Sequence, residues 1–214
     1  MRILLIHTHG SVNATVARHY PYYLAAGCDR TVGVQTTKGD CKWPSADTVV
    51  IGGDSYVSGN HLPSRLIRTL EYAVKEGGTE ILVAEYDTIF FKPLPPFPTG
   101  FVLNETGGAM PGYRCSRFFH GPWCMDAETA KATVELGDKL LFHGINEGGS
   151  PDTFLGYITD LLQIPVHGGV FKNFTRNSLD RPGDLELARQ AYRDGVHCIH
   201  GIKHERELNF ILAK

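Results

Sequence analysis

A chain of 214 residues can bury one sizeable core, and its 42% hydrophobic and 21% charged residues are those of an ordinary globular protein. The formal net charge of -2 and the sequence pI near 6.5 provide no broad basic face for a nucleic-acid backbone or an anionic membrane, so nucleic acid is not an expected partner. No apolar run approaches the ~18 residues that span a bilayer, and the opening Met1-Arg2-Ile3-Leu4-Leu5-Ile6 is too short for a signal segment, being interrupted at once by His7 and His9.

In chain order, short aliphatic or β-branched runs at 3–6, 31–34 and 48–51 read as buried strands, each ended by Gly, Asp or His. A helix follows over 62–75, where Leu62, Leu66, Leu70 and Val74, with Ile67 and Ala73 beside them, form one apolar stripe; Asn60 caps its start and Gly77 ends it. A fourth strand covers 81–84. The stretch 92–98, with four prolines in seven residues, must leave regular structure, so the residues before it lie at a strand's C-terminal edge, where open α/β sheets bind ligands. A second helix is expected after Asp126 as N-cap and up to Gly137, a third from Pro151-Asp152, a fourth from Asp184 to Gly195, and a last strand at 196–199. Alternating strands and helices predict one α/β domain over 1–214, with a largely parallel sheet. Five cysteines, an odd number with no Cys-x-x-Cys pair, indicate neither a disulfide framework nor a zinc knuckle and fit a reducing cytoplasm.

Acidic-x-acidic spacing occurs at Glu85/Asp87, Asp126/Glu128, Asp184/Glu186 and Glu205/Glu207, so spacing alone selects nothing. Context selects the first pair. It interrupts an apolar run, Ile81-Leu82-Val83-Ala84 before it and Ile89-Phe90-Phe91 after it, where two carboxylates are costly unless paired or metal-bound. In extended backbone residues i and i+2 point to one side, so both acids can face one cation; the alternative is a solvated strand-end pair. Near the C-terminus, His197-Cys198-Ile199-His200-Gly201-Ile202-Lys203 ends a strand with histidines and a lysine. A histidine there can complete an oxygen-rich Mn²⁺ or Mg²⁺ site and the lysine can neutralise a leaving phosphate, the alternative being a solvated basic strand end.

The order strand, acid-x-Asp, Phe-Phe-x-Pro and, much later, His-Gly-x-Lys resembles the nucleotide-sugar glycosyltransferases of the GT-A fold, in which an Asp-x-Asp motif holds the metal and a late histidine completes it. The segment 119–130, Phe-His-Gly-Pro-Trp-Cys-Met-Asp-Ala-Glu-Thr-Ala, looks like that fold's glycine-aromatic stretch before a helix, and Pro151-Asp152-Thr153-Phe154-Leu155-Gly156 resembles the Glu-Asp-Val-x-x-Gly segment of inverting members. Two departures stand out: Glu85 replaces the first Asp, and Pro151 replaces the acidic neighbour of Asp152.

The resemblance implies a Rossmann-like, mostly parallel mixed sheet flanked by helices, and transfer of a sugar from a nucleotide-diphosphate sugar, UDP-sugars first, to a carbohydrate or glycoconjugate hydroxyl with inversion. Asp87 would be the first metal ligand, Glu85 would reach the metal through water or touch the donor ribose, and His200, abutting Gly201-Ile202-Lys203, is preferred to His197 as the third ligand. Lys203 would face the leaving diphosphate, and Asp152 would be the base on the acceptor, its alternative being a helix-cap acid. The loop His7-Thr8-His9-Gly10 is expected at the nucleotide base, and Arg65 at the diphosphate unless it is a solvated helix charge. Trp43, Tyr113 and Trp123 are candidates for stacking on a sugar ring or else core residues. Two other classes compete. His7-x-His9 at a strand end also resembles the opening of an amidohydrolase metal site, in a (β/α)₈ barrel for which this chain is short. A non-catalytic sugar-nucleotide or carbohydrate-binding module is the third reading.

Overall fold

The computed structural model describes residues 1–8, 12–36, 41–51, 62–102, 106–108, 111–176, 179–181 and 183–213. The expected strands are present as β1 (Arg2–His7), β2 (Arg30–Gln35), β3 (Thr48–Val50) and β4 (Glu80–Glu85), but β3 is not the buried strand expected: it is the last in its sheet, and Thr48 and Val50 are exposed. With β6 (Phe101–Val102), β9 (Trp123–Asp126) and β10 (Val166–His167) they form a seven-stranded sheet in the order β10-β6-β9-β4-β1-β2-β3. Every pairing is parallel except the two made by β9, which runs against both β4 and β6. The sheet is therefore mixed and mostly parallel.

Successive side chains of β1 and β4 point to opposite faces. One face buries Ile3, Leu5, Ile81 and Val83 against Leu66, Leu70, Phe101, Trp123 and Leu155. The other buries Leu4, Ile6, Leu82 and Ala84 against Val16 and Tyr23. The helices covering these faces are α1 (Asn13–Leu24), α2 (Leu62–Lys75), α3 (Ala127–Phe142) and α4 (Pro151–Leu162). The stripe on α2 is buried as expected at Leu66, Ile67, Leu70 and Ala73, each apolar side chain of Leu size contributing about 1.5–3 kcal/mol. Its expected cap, Asn60, lies outside the described residues.

Three further expectations need correction. The helix that starts at Asp126 does not stop at Gly137; it continues to Phe142, because Gly137 serves close packing rather than termination. A Cβ there would come within 2.4 Å of the Ile67 side chain, so the missing side chain is what lets α3 approach α2. The proline-rich stretch does not follow β4 directly, since β5 (Thr88–Phe90) intervenes. The last strand, β12 (Cys198–His200), does not join the large sheet but sits between β11 (Asn173–Thr175) and β5 in a three-stranded sheet. Around it pack α5 (Asp184–Arg193) and α6 (Glu205–Leu212), burying Ile89, Ile199, Ile202, Leu208 and Ile211 in a separate cluster. A hairpin of β7 (Thr106–Gly108) with β8 (Arg117–Phe119) completes the sheets. Among the described residues no helix is long and apolar enough to cross a membrane.

Candidate metal centre and adjoining cleft

At the C-terminal end of β4, Glu85 stands in register beside His7 of β1. The chain then turns through Tyr86 and Asp87 into β5, which pairs antiparallel with β12 so that Thr88 faces His200. Immediately after His200, Gly201 adopts φ +101°, a conformation glycine enters without the penalty of a Cβ. The backbone N–H groups of Gly201 and Ile202 thereby both donate to the carbonyl of Asp87, at 3.1 and 3.0 Å. This pairing carries His200 to Asp87 across more than a hundred residues of sequence.

The other side of the turn is held by α1, a helix with no clear signature in the sequence. Tyr23 Oη donates to the carbonyl oxygen of Tyr86 at 2.5 Å, and His19 Nδ1 donates to the same oxygen at 3.0 Å. His19 is therefore a neutral imidazole protonated on Nδ1. Burial pushes its pKa down to about 4, against the Tyr86 hydrogen bond and with help from the charge of Arg18. One carbonyl between Glu85 and Asp87 is thus fixed twice from behind.

One ligand atom from each of Glu85, Asp87 and His200 lies within 4.8 Å of the others. Asp87 is 2% exposed. Its Oδ1 is buried without a hydrogen bond, 3.3 Å from His200 Nδ1 at ion-pair distance, while that nitrogen also meets Thr88 Oγ1 at 3.1 Å. Burial holds the Asp87 carboxyl above the usual carboxylate range; the nearby His200 opposes this, Glu85 adds to it, and Lys203 opposes it. A buried carboxylate oxygen with no donor, beside a second carboxylate and an imidazole, suits a divalent cation with oxygen and nitrogen ligands such as Mn²⁺. The residues present fit such an ion.

The three other acidic-x-acidic pairs do something different. Asp126 is the N-cap of α3 and accepts from the backbone of Glu128 and Thr129; Asp184/Glu186 and Glu205/Glu207 occupy the first turns of α5 and α6. All three complement helix N-termini. Glu85/Asp87 instead lies at the end of β4 and in the turn that follows it.

Lys203 is held through its backbone, its N–H donating to Glu207 Oε2 at 2.7 Å and its carbonyl accepting from Thr15 Oγ1 at 3.3 Å. Its side-chain charge acts on Asp87. Asp152 lies in the first turn of α4, where Ser150 is the N-cap position, so it is not the capping residue. Its carboxylate is 3.8 Å from His120 Nδ1. Burial pushes its pKa up to about 7, with the charge of Glu85 adding and the Trp123 indole opposing. Glu85 thus acts on both Asp87 and Asp152, which places the α4 acid in electrostatic reach of the three-residue cluster.

His7, Thr8 and Arg65 sit at the same sheet edge but are engaged in the scaffold. Arg65 is not a solvated helix charge: it is 2% exposed, and its Nη2 donates to the carbonyls of Thr8 and Val34 at 3.0 and 2.9 Å, joining the ends of β1 and β2. Thr8 Oγ1 donates to the Val34 carbonyl at 3.1 Å. Because Thr69 Oγ1 gives its proton to the Arg65 carbonyl at 2.8 Å, His7 Nε2–H donates to Thr69 at 3.0 Å, and burial, followed by the Arg65 charge, lowers the His7 pKa. His9 lies outside the described residues. His197 Nδ1 accepts from the Lys172 N–H at 3.1 Å, so it serves the small sheet while His200 faces the acids.

Of the aromatic candidates, Trp43 is core, stacked on Tyr23 with ring centroids 5.8 Å apart, and Trp123 is core with Nε1 donating to the Phe119 carbonyl at 3.0 Å. Tyr113 lines a cavity of about 470 Å³ with Arg114, Asn146 and Glu147. Sequence reasoning overlooked His19, Tyr23 and His120. The i, i+4 spacing of His19 and Tyr23 was a usable signal, obscured by Pro21 inside the helix. No protein-family model matches the chain, and no curated protein matches its sequence.

Proposed function

We propose that the chain is a metal-dependent glycosyltransferase of GT-A type, taking a nucleotide-diphosphate sugar, UDP-sugars first, as donor and a carbohydrate or glycoconjugate hydroxyl as acceptor. The observation that carries this reading is the buried Oδ1 of Asp87, without a hydrogen bond and grouped with Glu85 and His200 at the end of β4. The mixed, mostly parallel sheet and the return of the late His-Gly-x-Lys segment to the acid-x-Asp turn support it.

Glu85, Asp87 and His200 would hold Mn²⁺ or Mg²⁺. Such an ion, when bound, supplies Lewis-acid stabilisation of the charge that develops on a departing diphosphate. The chain's own residues do the rest. Asp152 accepts the proton of the acceptor hydroxyl, whose oxygen forms the new bond to the anomeric carbon. The bond from that carbon to the diphosphate oxygen breaks with its electron pair staying on the diphosphate, and Lys203 offsets that charge. A single displacement of this kind inverts the anomeric centre.

The amidohydrolase reading needs a closed barrel, whereas the large sheet has β10 and β3 as its two ends among the described residues. His7 is moreover occupied with Thr69. Thermal denaturation with UDP or GDP, each with and without Mn²⁺, tests the proposal. Stabilisation by nucleotide that requires Mn²⁺ is expected; stabilisation by metal alone with no response to nucleotide would sink it. Slow hydrolysis of a UDP-sugar separates the enzyme from a binding module.

A further inference from the structure

Helix α4 lies along β8 and the residue on either side of it through one face, on which residues recur every four positions. Asp160 accepts from the Ser116 N–H at 2.6 Å and from Ser116 Oγ at 2.7 Å. One turn nearer the N-terminus, Gly156 faces the Arg117 carbonyl so closely that a Cβ would stand 2.0 Å from that oxygen. A further turn brings Asp152 to His120, at 3.8 Å. Positions 152, 156 and 160 project from one side of a helix of 3.6 residues per turn. The approach of His120 to Asp152 is therefore set by two other contacts along the same seam.

The two acids of this seam are used differently. Both Asp160 oxygens are occupied by Ser116, as in a structural clamp. Asp152 has the imidazole at ion-pair distance, is about a quarter exposed at 28%, and feels the charge of Glu85 at the end of β4. A carboxylate that must take up and release a proton needs a partner that orients it without saturating it.

We propose that His120 is the positioning residue for Asp152, aligning its carboxylate with the acceptor hydroxyl through Nδ1; this rests on the glycosyltransferase reading above. The hydroxyl proton passes to Asp152, the acceptor oxygen bonds to the anomeric carbon, and the diphosphate departs with the electron pair of the broken bond. His120 exchanges no atoms with substrate. Among the described residues, Glu85 of β4 bears on Asp152 by charge and Trp123 of β9 by a hydrogen bond from its indole, while Arg117 of β8 is paired with Asp160 at 3.9 Å and Arg65 of α2 with the Thr8 and Val34 carbonyls. His120 Nδ1, at 3.8 Å, stands at ion-pair distance rather than hydrogen-bond distance, so it favours the ionised carboxylate as a charge when the imidazole is protonated, beside the hydrogen bond from the Trp123 indole. Loss of the protonated imidazole makes the carboxylate harder to ionise.

The test compares wild type, His120→Ala and His120→Asn on a panel of UDP- and GDP-hexoses with Mn²⁺, following hydrolysis with water as acceptor from pH 5 to 9, together with carboxyl ¹³C NMR titration of Asp152 without substrate. In His120→Ala, kcat should fall on the order of tenfold with donor KM unchanged, less than the loss of the base itself. The acid limb of the profile and the Asp152 titration should both move to higher pH, and His120→Asn, which carries no charge, should move both in the same direction. Superimposed profiles in a hydrolysing wild type and His120→Ala, or an unmoved Asp152 titration, would overturn the role of His120 alone. Absence of hydrolysis by the wild type across the panel would overturn the transferase reading and the catalytic role with it.

Discussion

The hydroxyl of Tyr23 donates to the carbonyl oxygen of Tyr86 at 2.5 Å, so the turn carrying Glu85 and Asp87 is braced by a helix that supplies no candidate ligand itself. Tyr23→Phe removes this donor and leaves the oxygen to His19, at a cost of about 1 kcal/mol. For a chain of this length that corresponds to a Tm lower by about 2–4 °C. Mn²⁺ affinity, read by titration calorimetry, should fall severalfold because the two acids are no longer held at one spacing. Unchanged Mn²⁺ affinity would show that the turn needs no brace.

Asp87→Asn should abolish the Mn²⁺-dependent response to nucleotide while leaving the circular dichroism spectrum intact, since Asp87 contributes a charge rather than packing. Burial raises its pKa in the folded protein, so the folded state keeps a proton that the unfolded chain releases. Without metal, this site therefore weakens stability as pH rises from the ordinary aspartate range. The asparagine variant should lose that part of the decline. Retained nucleotide stabilisation by Mn²⁺ would remove Asp87 from the site.

Asp152→Asn should lose about 10²- to 10⁴-fold in transfer while still binding nucleotide sugar and Mn²⁺. Its folded pKa of about 7 against an ordinary 3.8 also has a thermodynamic consequence. Between those values the folded protein holds the proton and the unfolded chain does not, so stability falls with rising pH across that window and levels off above it. Melting curves from pH 4 to 8 should show wild type declining more steeply than Asp152→Asn, with the variant the more stable at pH 8. Parallel curves would contradict the raised pKa, and wild-type transfer by the variant would remove Asp152 as base.

His200→Ala should raise the Mn²⁺ concentration needed for half-maximal activity, because one of three ligands is gone. Lys203→Ala should leave that requirement near wild type and lower kcat instead, the positive charge being used as the diphosphate leaves. Both are measured by metal titration of UDP-sugar hydrolysis. An identical shift in metal requirement for the two variants would mean that Lys203 is needed to bind the metal rather than to assist the leaving group.

Gly156→Ala tests the seam between α4 and β8. The added methyl group meets the Arg117 carbonyl at 2.0 Å, so helix and strand must separate, at a cost of about 1–3 kcal/mol. The variant should melt earlier and transfer sugar more slowly, with Mn²⁺ binding at Glu85 and Asp87 preserved. A wild-type rate would show that the distance from Asp152 to His120 is irrelevant to turnover.

Local chemistry alone determined much of this. The aliphatic runs of β1, β2, β3 and β4, the stripe on α2, the proline that opens α4 and the cost of two acids in an apolar strand are all properties of neighbouring residues, and they can be read in sequence. Tertiary structure decided the rest, because it depends on partners far apart in the chain. Helix α1 has mixed polarity and an internal proline, and its Tyr23 and His19 matter only because β1 and β4 bring the Tyr86 carbonyl to them. The segment containing β9 shows no alternation to reveal that it would run antiparallel between β4 and β6, since it is buried on both faces. His200 was legible as a strand-end histidine, but its meeting with Asp87 follows from pairing between β5 and β12. His120 was legible only as part of the glycine-aromatic stretch 119–130; its nearness to Asp152 comes from the four-residue spacing of a helix packed against the strand before it.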